Sequence, residues 1–216
     1  MPSHEPASSG APRLPARALR WGALVLWLAM QLPLPDALKP GDSAWSHLPS
    51  EAAFWLMAVA LIVWVVRVES RPLASIGLVW PTWRSLAWGT AAAFAIVAGL
   101  AVISAILLPQ SPMAGIAHVP KWLSVLIVIR AAVFEELCYR GFAIERLGEV
   151  TGSRRLAAVL SLAAFTLVHL YGWDWSHLTL VLFAGFVLTV LYMWRRDLVA
   201  NVVAHFLTDI TGVLLS

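Results

Sequence analysis

Arg130, Glu135, Glu136 and Arg140 fall in one otherwise apolar stretch of this sequence, His169 in a second, and His205 with Asp209 in a third. Glu136 and Arg140 are four residues apart with the acid N-terminal, the favourable order for an ion pair along one helix face. Glu135 is turned about 100° from Glu136 on a helix, so it cannot easily share that arginine and is left as the available carboxylate. His205 and Asp209 are also four apart and project from one face. One carboxylate, two histidines and an aspartate converging from three helices can activate water. A carboxylate in low-dielectric surroundings serves as general base and acid near neutral pH. A neighbouring histidine orients the water, and donors on the opposite side stabilise a tetrahedral oxyanion. The reaction class that fits is hydrolysis of a peptide bond within or beside a membrane. Glu135, His169, His205 and Asp209 are the candidate catalytic residues, with Glu136 and Arg140 as structural support. Two histidines and a glutamate can also hold a catalytic zinc, which makes Glu135, His169 and His205 alternative metal ligands. The sequence has no His-Glu-x-x-His run to favour that option, and no cofactor is expected.

The setting gives these charges their weight. Of 216 residues, 60% are hydrophobic and 12% charged, with a mean hydropathy of +0.79. A soluble globular domain carries about 25% charged residues, and disorder requires low hydrophobicity with high net charge. The composition is that of an integral membrane protein, and the lone Cys138 excludes a disulfide framework or a multi-cysteine zinc site. A charge at the centre of a membrane helix costs about 2.5–3.5 kcal/mol, so Arg130, Glu135, Glu136, Arg140 and Asp209 together imply on the order of 15 kcal/mol before pairing. A chain so sparing of charge elsewhere carries that load for a reason. Arg130 is read here as joining Arg140 in neutralising the two glutamates, and Cys138 as a small buried hydrophobe.

Seven apolar runs are predicted to position these residues: Leu19–Leu34, Glu51–Val68, Leu86–Leu108, Trp122–Leu147, Leu156–Gly172, Ser176–Trp194 and Leu198–Leu215. Runs of about 20 apolar residues mark membrane-spanning helices. The expected fold is therefore all-α, a multi-pass bundle of about seven transmembrane helices forming a single domain. Residues 1–18 form a flexible cytoplasmic tail, 19–120 the N-terminal helices and 121–216 the core helices that carry the charged stretches. Pro35–Ser50 and Pro109–Pro120 are loops, and His4, His47, His118 and His177 lie in tail or loops. The first run has a basic flank but no small-x-small cleavage site, so it is read as a retained span rather than a signal peptide.

The basic residues orient the bundle. With the N-terminus cytoplasmic, the inside segments hold Arg13, Arg17, Arg20, Arg67, Arg71, Arg84, Arg146, Arg154, Arg155, Arg195 and Arg196, while the outside loops hold only Lys39 and Lys121. This is the positive-inside bias, and it means that a pI of about 9.5 reflects topology rather than nucleic-acid binding. Trp21, Trp45, Trp80, Trp83, Trp122, Trp173, Trp175 and Trp194 lie near span ends, as an aromatic belt requires. The expected surroundings are a lipid bilayer, that of the plasma or inner membrane, with a membrane-associated protein or peptide as substrate.

Glu135-Glu136-x-x-x-Arg140, Phe165-x-x-x-His169 and His205-x-x-x-Asp209, in that order, resemble the three motifs of the CPBP family. Its members are CAAX-protease and bacteriocin-processing membrane proteins related to the Ras-converting enzyme. Arg140-Gly141-Phe142, the segment around Phe183-Ala-Gly185 and the run Leu198–His205 are similar to family wording as well, and the likeness spans roughly residues 121–216. The resemblance implies a metal-free, glutamate-type intramembrane endopeptidase. Glu135 and His169 would activate water, and His205 with the last motif position would form the oxyanion site. The family usually has Asn at that last position and this chain has Asp209; an ionised Asp donates no hydrogen bond. The rival reading is a non-catalytic membrane protein, such as an immunity factor, a pseudoenzyme or a proton-coupled carrier, that uses the same polar cluster. Carriers typically show internal repeats, and none is present here.

Overall fold

The computed structural model describes residues 15–41, 43–107, 119–171, 175 and 177–215. Most of the expected tail and of the Pro109–Pro120 loop, with His4, His118 and Trp173, lie outside the described residues. Seven helices run through the rest, and no strand occurs among the described residues. They are α1 (Ala16–Ala29), α2 (Leu48–Val63, closing in a π-helical turn Trp64–Val68), α3 (Trp83–Leu107), α4, α5 (Arg154–Val168), α6 (Leu178–Arg195) and α7 (Leu198–Leu215). Helix α4 is one continuous rod built from Lys121–Glu135, a π-helical segment Glu136–Ile144 and Glu145–Thr151.

Helix α4 is the axis of the bundle. Every residue from 136 to 147 is buried, and α1, α2, α5 and α7 all pack against the helix. Helix α6 packs against α5, α3 and α7, and α3 runs along α7. At the α3–α7 seam the buried residues Ala93, Ile96, Ala200 and Ala204 are mostly small, which lets two apolar backbones approach where lipid offers no hydrophobic drive for association. Leu56, Phe94, Ile106, Leu167 and Leu214 are exposed, as lipid-facing residues are.

Among the described residues, five helical stretches are long and apolar enough to cross a membrane: Ala44–Val68, Trp83–Leu107, Arg154–Tyr171, Leu178–Arg195 and Leu198–Leu215. The chain is thus a multi-pass helical membrane bundle, and two of the seven expected spans differ from expectation. Helix α1 has 14 residues, about 21 Å of rise, shorter than a hydrocarbon core of about 30 Å. Helix α4 carries too many charges for a lipid-facing helix, and its surroundings explain how it bears them. Neighbouring helices enclose residues 130–147, so the polar groups there meet protein rather than lipid.

The turns that set α5 and α7 follow local rules. Gly152 adopts the left-handed conformation (φ 69°) that ends α4 at no steric cost, and Ser153 then caps α5 by accepting from Leu156 N at 3.2 Å. Arg196 ends α6 in the same left-handed region (φ 48°). Asp197 starts α7 by accepting from Ala200 N at 3.2 Å, an acid N-cap.

One end of the bundle is clamped by ion pairs. Arg146, buried, donates to Glu69 at 2.9 and 2.5 Å and reaches Glu149 at 3.3 Å, and Glu149 also pairs with Arg71. Glu145 gathers Arg154 and Arg196, each at 2.9 Å, and the Tyr192 hydroxyl at 3.1 Å. Four of the arginines assigned to the inside segments therefore join α2, α4, α5 and α6 at the end remote from Lys121.

Candidate active site

Glu136 opens the π-helical segment and is completely buried. Its Oε1 accepts from Arg140 Nη1 at 2.7 Å and from His205 Nδ1 at 2.9 Å, and its Oε2 accepts from Asn201 Nδ2 at 3.0 Å. The i, i+4 ion pair read from spacing is present, and it is only part of the arrangement. Arg140, 1% exposed, donates through Nη2 to Gly185 O at 3.0 Å and lies 4.2 Å above the Phe165 ring. A buried ion pair is tolerable when hydrogen bonds satisfy its remaining donors and lone pairs, and here they come from α6 and α7. Gly185 is needed for this: a Cβ on it would stand 2.8 Å from Phe165 Cδ1. Asn201 also donates to Leu188 O at 2.7 Å.

The same carboxylate orients His205. An ionised carboxylate only accepts, so His205 Nδ1 carries a proton toward Glu136 and the opposite ring nitrogen is the one turned to the reaction space. That nitrogen, Nε2, stands 3.3 Å from Asp209 Oδ2 and 3.9 Å from Glu135 Oε2. One proton on the Nε2–Oδ2 line serves either a histidinium donating to Asp209 or a protonated Asp209 donating to the ring. In the first case His205 Nε2 is a donor already aimed; in both, its other nitrogen is held by the buried Glu136 carboxylate.

Glu135, next in the chain to Glu136, differs from it in access. Its side chain is 18% exposed where that of Glu136 is 0%, and Arg130 Nη1 is 3.9 Å away. Arg130 thus meets Glu135 at ion-pair distance, as expected, but that contact is its longer one. Its guanidinium fork closes on Glu51 of α2 instead, Nε to Oε2 and Nη2 to Oε1, both at 3.0 Å, with the Phe54 ring 4.4 Å away. The reason is geometric: α2 lies across α4 and offers both carboxylate oxygens to the planar fork. Glu51 went unnoticed in the sequence because it stands at the boundary of a predicted span, where a charge is ordinary.

His169 sits where α5 gives way to a short 3-10 turn, His169–Tyr171. Its Nδ1 lies 2.6 Å from Phe165 O and its ring packs at 4.8 Å on Phe165. A carbonyl accepts, so Nδ1–H donates and Nε2 is left as the acceptor of the ring. Among the described residues its hydrogen bond is to its own helix and not to Glu135 or His205. Phe165 is the link, its ring in contact with both His169 and Arg140. The structure thus brings Glu135, Glu136, Arg140, His205 and Asp209 together and places His169 beside them across one aromatic ring. Asn201 and Gly185 complete the set; neither drew a role from spacing, although both lie in stretches that resemble family wording. Cys138 is buried, and Tyr139 donates to Gln31 Oε1 at 2.8 Å. Among the described residues no three His, Cys, Asp or Glu side chains gather as a metal-binding group. Glu135, His169 and His205 are accordingly not gathered as such a group.

No curated protein and no solved structure matches the chain significantly. A protein-family model does match, the one described as type II CAAX prenyl endopeptidase Rce1-like, over residues 117–211. That segment contains α4 to α7 almost entirely, with all three charged stretches. Residues 117–211 are thus similar to this Rce1-like family, and the preceding helices pack around them.

Proposed function

We propose that this protein is an intramembrane endopeptidase that hydrolyses a peptide bond of a membrane-associated protein or peptide with water activated by Glu135 and His169. The observation that carries the reading is His205: its Nδ1 is held by buried Glu136 at 2.9 Å while Nε2 faces Glu135 and Asp209. Such an arrangement is costly in a chain this apolar and has a use in acyl transfer. Glu135 takes a proton from water as the oxygen bonds to the scissile carbonyl carbon, and the Nε2 lone pair of His169 helps to align that water. The carbonyl oxygen becomes an oxyanion, toward which a proton on His205 Nε2 is directed. Glu135 then returns its proton to the departing amine as the C–N bond breaks. The family description makes a prenylated CAAX-type C-terminal peptide the first substrate class to assay. The plasma membrane is the proposed location.

The decisive experiment compares wild type with Glu135→Gln in reconstituted vesicles, using prenylated and leader-type peptide reporters. A general base contributes about 10²–10⁴-fold, so cleavage by the variant is expected to fall by at least about a hundredfold, with insertion and thermal unfolding unchanged. Equal cleavage by the two proteins, or none by either on any reporter, refutes the proposal and favours the non-catalytic reading.

A further inference from the structure

Arg130 stands between two carboxylates. It holds Glu51 at 3.0 Å through two N–H groups, and its remaining terminal nitrogen is 3.9 Å from Glu135. All three side chains are at most 18% exposed, so solvent screens these interactions little. Arg130 and Glu135 share α4, whereas Glu51 comes from α2, outside the segment that matches the family. Helix α2 also supplies Phe54, one turn beyond Glu51, which seats the guanidinium at 4.4 Å and packs on Phe134 at 5.3 Å. The fork is therefore held by α2, and only the third nitrogen, at 3.9 Å, is left toward Glu135.

We infer that Glu51 is a positioning residue that acts through Arg130: by occupying the guanidinium fork it keeps Arg130 from closing on Glu135. The inference rests on the reading of Glu135 as the group that takes a proton from water. With Glu51 neutralised, the nearest carboxylate left to Arg130 is Glu135. A shift of about 1 Å would bring the two into a charge-assisted hydrogen bond. A guanidinium seated on Glu135 would occupy the lone pairs that must accept from water. Glu51 thus has an effect opposite to that of an ordinary strut, because its removal harms Glu135 by releasing a cation.

The test uses the full-length protein in vesicles and four forms: wild type, Glu51→Gln, Glu51→Asp and the double variant Glu51→Gln/Arg130→Gln. Two readouts are taken, peptide-cleavage kinetics and the extent of covalent labelling of Glu135 by a hydrophobic carbodiimide, mapped by mass spectrometry. Glu51→Gln is expected to lower kcat by about tenfold, a fraction of the full general-base contribution, with KM within about twofold. Glu135 labelling should fall in parallel. Glu51→Asp keeps the anion and should recover most of both signals. The double variant removes the cation as well and should return kcat and labelling to within about threefold of wild type. A strut between α2 and α4 predicts the reverse, a double variant no better than Glu51→Gln, and that result overturns the inference, as does labelling that is indifferent to Glu51→Gln. If Glu51→Gln fails to insert, Arg130→Gln alone decides: Glu135 must still label as in wild type, and loss of labelling overturns the inference. If no form cleaves any peptide, the endopeptidase reading has failed, and the labelling series still decides whether Glu51 restrains Arg130.

Discussion

Two adjacent glutamates with the same chemistry have been given different work by their surroundings. Glu136 spends both oxygens on Arg140, His205 and Asn201, whereas Glu135 keeps partial exposure and no contact closer than 3.9 Å to Arg130 or His205. Helix periodicity separates them by about 100°, and that rotation alone turns one inward and the other toward the reaction space. Asp209 is the residue at which this chain departs from the motif pattern of the family that it resembles. Because its Oδ2 lies 3.3 Å from His205 Nε2, Asp209→Asn keeps an oxygen facing the ring and adds an N–H donor. Peptide cleavage by Asp209→Asn is therefore expected to stay within about threefold of wild type or to rise. Asp209→Ala, which removes the partner of Nε2, should fall by about ten- to a hundredfold, within the range for loss of one oxyanion-side group. Initial-rate assays at saturating peptide check both, and an Asp209→Asn variant without activity would show that the carboxylate itself is required.

At the scale of elements, the π-helical segment of α4 is the unusual feature. It runs from Glu136 to Ile144, begins on the charged motif, and has the carbonyl of Tyr139 bonded by Ser161 Oγ of α5 at 2.6 Å. Such segments are rare and recur at functional sites. Helix α6 contributes no titratable group to the site, yet it makes the site possible: Gly185 offers its carbonyl to Arg140 and leaves room for the Phe165 ring. Gly185→Ala would drive a methyl group to 2.8 Å from that ring and displace the ring that both Arg140 and His169 contact. Overpacking of this kind costs about 1–3 kcal/mol. The expected outcome is a lower thermal unfolding midpoint in detergent, together with reduced cleavage by a protein that still inserts. A variant with unchanged midpoint and rate would mean that α6 yields easily and that Phe165 is not tightly held.

For the whole molecule, the ion-paired end formed by Glu69, Glu145 and Glu149 with Arg71, Arg146, Arg154 and Arg196 is proposed to face the cytoplasm, as the positive-inside bias requires. Cys138 is the sole cysteine and is buried, so single-cysteine labelling has a quiet background once it is replaced by Ala. Ser43→Cys should react with an impermeant maleimide in intact cells, and Arg155→Cys only after permeabilisation; the opposite pattern would invert the topology. Much of this architecture was legible in the sequence, because apolar length and helical spacing are properties of each segment by itself. They were enough to define the lipid-facing helices, the Glu136–Arg140 pair and the common face of His205 and Asp209. Other features depend on which helix lies opposite, and no local pattern carries that information. Arg130 turned to Glu51 because α2 crosses α4 there, Asn201 and Gly185 gained roles as partners of a pair on another helix, and α4 became the enclosed axis despite its charge. A segment's own residues determine that it is a helix and which face is polar. Which polar groups meet is decided only when neighbouring helices exclude lipid and water, leaving each buried charge to be satisfied by the partners within reach.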